Sequence, residues 1–213
     1  MNLEDTRDDL LEAMLPHVPF TGWSRQSLDA AAEDVGVSAD EALLAFPGGE
    51  RELAAHYFDW TDRRMIEALD ARQLIRLKVR DRVAAVVRTR LEQKAGHKEA
   101  VRRLTAFLAL PTNAPLGARC TWHTVSEIWY AAGDNATDWN WYSKRGLLLA
   151  VYTSTFVFWL NDSSEDHELT WEFLGRRIDD VMRIQGVRSN LDRVVGEMPR
   201  ALRTLGRVVR GTR

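Results

Sequence analysis

The stretch WSRQSLDAAAEDVGVSADEALLAF, Trp23 to Phe46, decides the fold. Ser24 is placed to cap a helix whose apolar positions Leu28, Ala31, Ala32 and Val35 recur at helical spacing. Gly36 supplies a turn, Ser38 caps a second, shorter helix, and that helix stops at Phe46-Pro47. Two helices joined so tightly have the layout of a helix-turn-helix.

The G-V-S turn and the closing Phe46 resemble the N-terminal region of TetR-type regulators. The charge does not suit DNA. Between Trp23 and Phe46, Arg25 stands alone against Asp29, Glu33, Asp34, Asp40 and Glu41, a local net charge of −4. Phosphate contacts supply most of the affinity for a duplex, so a segment this acidic is repelled by it. The second helix has Leu43 and Leu44 and no Arg, Lys, Asn or Gln to read a base edge. The reading is a degenerate helix-turn-helix over 1–46 that binds no nucleic acid. The alternative, a ligand-responsive regulator, requires saturable, sequence-dependent binding in a low-salt gel shift.

Outward from this motif the periodicity is helical throughout, and no alternating β-branched run suggests a strand. The expected class is all-α, with a helical core over 47–188 and a tail helix over 189–213. Pro16 and Pro19 should end the first helix. Leu74 to Gln93 reads as one Arg- and Val-rich helix, and PTNAPLG punctuates the chain after Leu110. The length of 213 residues, with 45% hydrophobic and 28% charged content, suits a single globular unit. A net charge of −2 gives no global attraction to polyanions. Cys120 is the sole cysteine, which precludes an internal disulfide, and reads as a small buried hydrophobe. The acidic start lacks the marks of a signal or transit peptide, so a cytoplasmic setting is expected.

No catalytic or metal-binding constellation appears. The five histidines are scattered, without H-E-x-x-H or paired E-x-x-H motifs, and no phosphate-binding glycine loop is present. No catalytic residue, metal or cofactor is assigned, and the protein is read as non-enzymatic.

Three features ask for partners. GLLLAVYTSTFVFWL, Gly146 to Leu160, is too short to span a bilayer and apolar on nearly all faces, so neighbours should surround it. It either fills a bundle core or lines an apolar cavity. In the second case Leu148, Val151, Tyr152, Thr155 and Phe156 are the lining, with hydroxyls orienting the ligand. The tail LDRVVGEMPRALRTLGRVVRGTR places Val194, Val195, Met198, Leu202, Leu205, Val208 and Val209 on one stripe. Arg200, Arg203 and Arg207 lie opposite, the pattern of an interfacial membrane helix. The same stripe could instead dock on the protein itself or on a dimer mate. Last, GDNATDWNWYSKRG, Gly133 to Gly146, sets large aromatics on a polar corner. Physically, core packing and recognition are balanced there.

The segment SEIWYAAGDNATDWNWYSKRGLLLAVYTSTFVFWLNDSSEDHELTWEFLGRRIDDVM, Ser126 to Met182, resembles the Coq nine family of ubiquinone biosynthesis, above all in WYAAGD, TDWNWYSKR and DSSEDHELTWEFLGRRIDD. The resemblance implies a TetR-like helical bundle that has lost DNA binding. It implies a homodimeric, lipid-binding accessory protein, peripherally bound to the inner face of a membrane by its C-terminal helix. It also implies an isoprenoid quinone precursor as ligand, presented to the di-iron demethoxyubiquinone hydroxylase. The family's docking patch maps onto Asp138, Trp139, Asn140, Trp141, Tyr142 and Arg145.

Overall fold

The computed structural model describes residues 3–69, 74–133 and 140–183, with backbone alone for 140–143. The expected tail residues Val194, Val195, Met198, Arg200, Leu202, Arg203, Leu205, Arg207, Val208 and Val209 lie outside the described residues.

Ten helices follow one another among the described residues, which contain no strand. They are α1 (Leu3–Met14), α2 (Val18–Thr21), α3 (Arg25–Val35), α4 (Ala39–Ala45), α5 (Glu50–Ala68), α6 (Val79–Glu92), α7 (Lys98–Ala109), α8 (Ala114–Ala131), α9 (Asn140–Asn161) and α10 (168–183).

The α3–α4 pair forms as its caps dictate. Ser24 is extended, and its side chain accepts from Ser27 N. Gly36 takes φ 79°, a left-handed conformation that costs glycine nothing, and its N–H returns to Ala32 O. Ser38 and Glu41 form a reciprocal capping box, with Ser38 N donating to Glu41 Oε2 at 2.9 Å. Leu28, Ala31 and Ala32 are buried as α3 packs on α1, and Phe46 closes the unit beneath the Arg7 guanidinium, 4.7 Å from its ring. The outward side keeps Glu33, Asp34, Asp40 and Glu41 exposed, with Leu44 76% exposed between them. The helix-turn-helix geometry is therefore present and its outer face is acidic.

This unit shares its core with the rest of the chain. Trp23 packs edge-on against Tyr57, 5.3 Å between centroids, and its Nε1 donates to Ala100 O. Packing is thus continuous across the expected boundary at 46/47.

Three local expectations change. Pro19 stands in the first turn of α2, where its missing N–H is no loss, while α1 has already stopped at Met14. Leu74 to Gln93 is broken at Leu77 and Lys78, and Arg82 folds back so that Nε and Nη2 donate to Leu77 O and Ile75 O. Most consequentially, α9 is covered on one side only among the described residues. Its inner row Arg145, Leu148, Tyr152, Thr155 and Trp159 is buried, whereas Gly146, Ala150 and Val157 face solvent.

A compact device joins α9 to α10. Asp162 Oδ1 accepts from Ser164 N, and Oδ2 accepts from Thr170 N and Thr170 Oγ1. The DSSEDHELT stretch is thus a capped turn that aims α10 back along the bundle.

Candidate functional site

α8 ends at Ala131, and Gly133 takes φ 86°, so the chain turns sharply into the aromatic corner. Arg82 Nη1 donates to Ala132 O at 3.3 Å, tying this turn to the start of α6. A Cβ on Gly133 would stand 3.0 Å from that same nitrogen, a second reason for glycine here. Asp138 and Trp139 lie outside the described residues. Asn140, Trp141 and Tyr142 form the first turn of α9.

Arg145 departs from the expected docking patch. It is 6% exposed, and its Nε donates to Ser126 Oγ at 3.2 Å, fastening α9 to α8. The reason is register: Arg145 falls on the same helical row as Leu148 and Tyr152, the side that faces the core. It cannot present itself to a partner.

The residues expected to line one cavity line two. Leu148 and Val151 face a cavity of about 240 Å³ between α6, α8, α9 and α10, shared with Val83, Trp129, Ile178 and Met182. Gly133 and Lys144 bound it on the corner side. Tyr152 and Phe156 face the other way, into a cavity of about 290 Å³ walled also by Tyr57, Leu104, Leu108 and Ala118. Thr155 lines neither and is fully buried. Of the hydroxyls expected to orient a ligand, Thr155 Oγ1 is buried without a hydrogen-bond partner among the described residues, and the others bond within the protein. Thr153 and Ser154 donate to Leu149 O and Ala150 O on their own helix, and Tyr152 OH accepts from Arg90 Nε.

Between the cavities lies a polar cluster that the sequence reading missed. Arg90 is 0% exposed; Nη1 pairs with Asp62 Oδ1 at 2.5 Å and Nη2 donates to Thr124 Oγ1. Thr124 Oγ1 in turn donates to Asp62 Oδ2 at 3.1 Å. One turn on, Lys94 is 2% exposed, with Nζ 5.7 Å from the ring centroids of both Tyr57 and Phe156. Burial first, then Arg90 beside it, pushes the Lys94 ammonium well below the usual lysine range. Burial, with Lys94 and Arg64 adding to it, brings His97 down to about 4, and its Nε2 shares a hydrogen bond of 2.9 Å with Tyr57 OH. A signal for this cluster existed: Arg90 and Lys94 continue the row Val83, Val86, Val87 and Leu91 that buries α6.

Elsewhere the titratable groups look structural. Burial raises the Cys120 thiol, and His123 stands beside Asp62 and Glu127 without further ligands. No group of three or more His, Cys, Asp or Glu side chains converges as a metal site among the described residues.

The COQ9 family model matches residues 114–185, which carry α8, the corner, α9 and α10. "Ubiquinone biosynthesis protein COQ9, mitochondrial" of Homo sapiens is 32% identical over 188 residues, covering 85% of this chain and 59% of that protein. The chain belongs to the COQ9 family. The same-named COQ9 protein of Drosophila melanogaster is 31% identical over 191 residues, covering 87% of this chain and 58% of its own length. The chain spans roughly three-fifths of the length of these curated relatives. Among solved structures, a TetR transcriptional regulator from Nitrosomonas europaea superposes with TM-score 0.68. It covers 82% of this chain and 97% of that one at 23% identity, a likeness of fold. The COQ9-matched segment supplies the walls of α8, α9 and α10 to the cavities, whereas Asp62, Arg90 and Lys94 precede it.

Proposed function

We propose that this COQ9 relative is a non-enzymatic, lipid-binding accessory protein of ubiquinone biosynthesis. It binds an isoprenoid quinone precursor at a membrane and presents it to the di-iron demethoxyubiquinone hydroxylase. The observation that carries the reading is the position of the first cavity: Gly133 and Lys144, which flank the aromatic corner, are among its lining residues. An apolar site is thereby set next to the surface that the COQ9 family resemblance assigns to docking.

The size of the site gives the mechanism its form. A volume of about 240 Å³ with mostly apolar walls has room for a ring-sized group. That suits a quinone-sized ring, with the polyprenyl tail extending out of the cavity along apolar surface. Trp139, Trp141 and Tyr142 then dock the hydroxylase within reach of that ring.

The membrane is reached from outside. No described helix is long and apolar enough to cross one. The tail stripe from Val194 to Val209, with Arg200, Arg203 and Arg207 opposite, lies in the interface, each arginine adding about 1 kcal/mol near anionic lipid. A homodimer forms on the outward side of α9 and α10, where Val157 is 56% and Leu169 52% exposed and Phe158 stacks on Phe173 at 4.6 Å. Truncation before Leu191 should abolish co-sedimentation with vesicles containing anionic phospholipid. Unchanged sedimentation would remove the tail from the mechanism.

A further inference from the structure

Around the second cavity every polar side chain is engaged except one. Thr105, Thr121 and Thr153 donate to Val101 O, Gly117 O and Leu149 O on their own helices. Tyr57 OH meets His97 Nε2, and Tyr152 OH accepts from Arg90. Lys94 Nζ makes no hydrogen bond or ion pair among the described residues; it meets the faces of Tyr57, Phe58 and Phe156 at 5.7–5.9 Å.

We propose that this cavity is a site for an apolar acid, a compact hydrocarbon chain or ring carrying one carboxylate that pairs with Lys94. The charges require it. Arg90 and Asp62 neutralise each other, so a protonated Lys94 leaves one buried positive charge that aromatic faces compensate only in part. An unpaired buried ammonium is costly and sheds its proton unless an anion arrives. A single carboxylate balances the site, and the Lys94 amine takes up a proton from solvent as the anion binds. A neutral carbonyl or alcohol meets Lys94 as the neutral amine and gains no ion pair. A phosphate brings more charge and more acceptor atoms than one ammonium can serve.

The walls fix the rest of the ligand. Leu104, Leu108 and Val101 are apolar, and the volume of about 290 Å³ suits a short hydrocarbon chain or a single ring. Small residues of α8 form the mouth, where Ala114 and Ala118 are exposed and Gly117 half-buried. The acid thus enters between α7 and α8 with its carboxylate leading. This site opens away from the quinone cavity, with the two sets of lining residues on different faces of α9, so either assignment can fail while the other stands.

Titration calorimetry of the full chain with sodium octanoate and with octan-1-ol tests the proposal. Octanoate should bind one to one, at least about tenfold more tightly than the alcohol. Runs in buffers of different ionisation enthalpy between pH 7 and pH 9 should show proton uptake that K94M abolishes. K94M should erase the preference for the acid and leave octan-1-ol binding unchanged. A118W, at an exposed position, should block both ligands without unfolding the protein, which keeps the test decisive if K94M does not fold. Equal affinity for acid and alcohol, a preference that survives K94M, octanoate binding that survives A118W, or no octanoate binding overturns it.

Discussion

Arg90 and Asp62 form an ion pair across α5 and α6 that solvent does not reach, at 0% and 4% side-chain exposure. Thr124 bridges the pair from α8 and Tyr152 adds a bond from α9, so four helices meet on two charges. Such a pair costs its desolvation and specifies how the helices fit; breaking it strands a charge. Asp62→Asn should therefore lower stability by about 3–5 kcal/mol, read from denaturant melts. A loss under 1 kcal/mol would show that the charges are solvated in solution.

The Asp162 cap predicts a pH signature. Burial alone raises its carboxyl, but bonds from Thr170 and Ser164 outweigh burial and hold it down to about 2. A depressed folded value stabilises above the unfolded one, near 3.9, and that contribution disappears as the pH falls towards about 2. Asp162→Ala should cost about 1–2 kcal/mol at pH 7, and the gap from the parent protein should close between pH 4 and pH 2. A gap independent of pH would mean the carboxylate charge is not what holds the turn.

At the corner, Trp141→Ala and Tyr142→Ala should each weaken capture of the di-iron hydroxylase by about 30-fold, the scale of an interaction hot spot. Thermal midpoints should stay close to the parent's. Severe unfolding in both variants would place these rings in the core.

Local chemistry made much of this fold readable. Ser24, Gly36 and Ser38 each decide a helix end with neighbours a few residues away, so the α3–α4 motif and its acidic face follow from the sequence. The family resemblance assigns Arg145 to the docking patch, although its spacing from Leu148 and Tyr152 already places it on the buried row. The inner and outer sides of α9 were hidden for another reason: the helix is apolar all round, so only its neighbours reveal which side is covered. The two cavities depend on how α6, α7, α8 and α10 stand against it, and Asp62 meets Arg90 across 28 residues of sequence. Long-range relations of that kind leave no local pattern.

The central claim is that the chain carries an isoprenoid quinone precursor. Mass spectrometry of the lipid extracted from the purified full chain tests it most directly. The account predicts a polyprenylated quinone or quinone precursor in near-stoichiometric amount, reduced severalfold when Leu148→Trp fills the first cavity. An extract that holds only bulk phospholipid, or an isoprenoid whose amount is unaffected by that substitution, would contradict it.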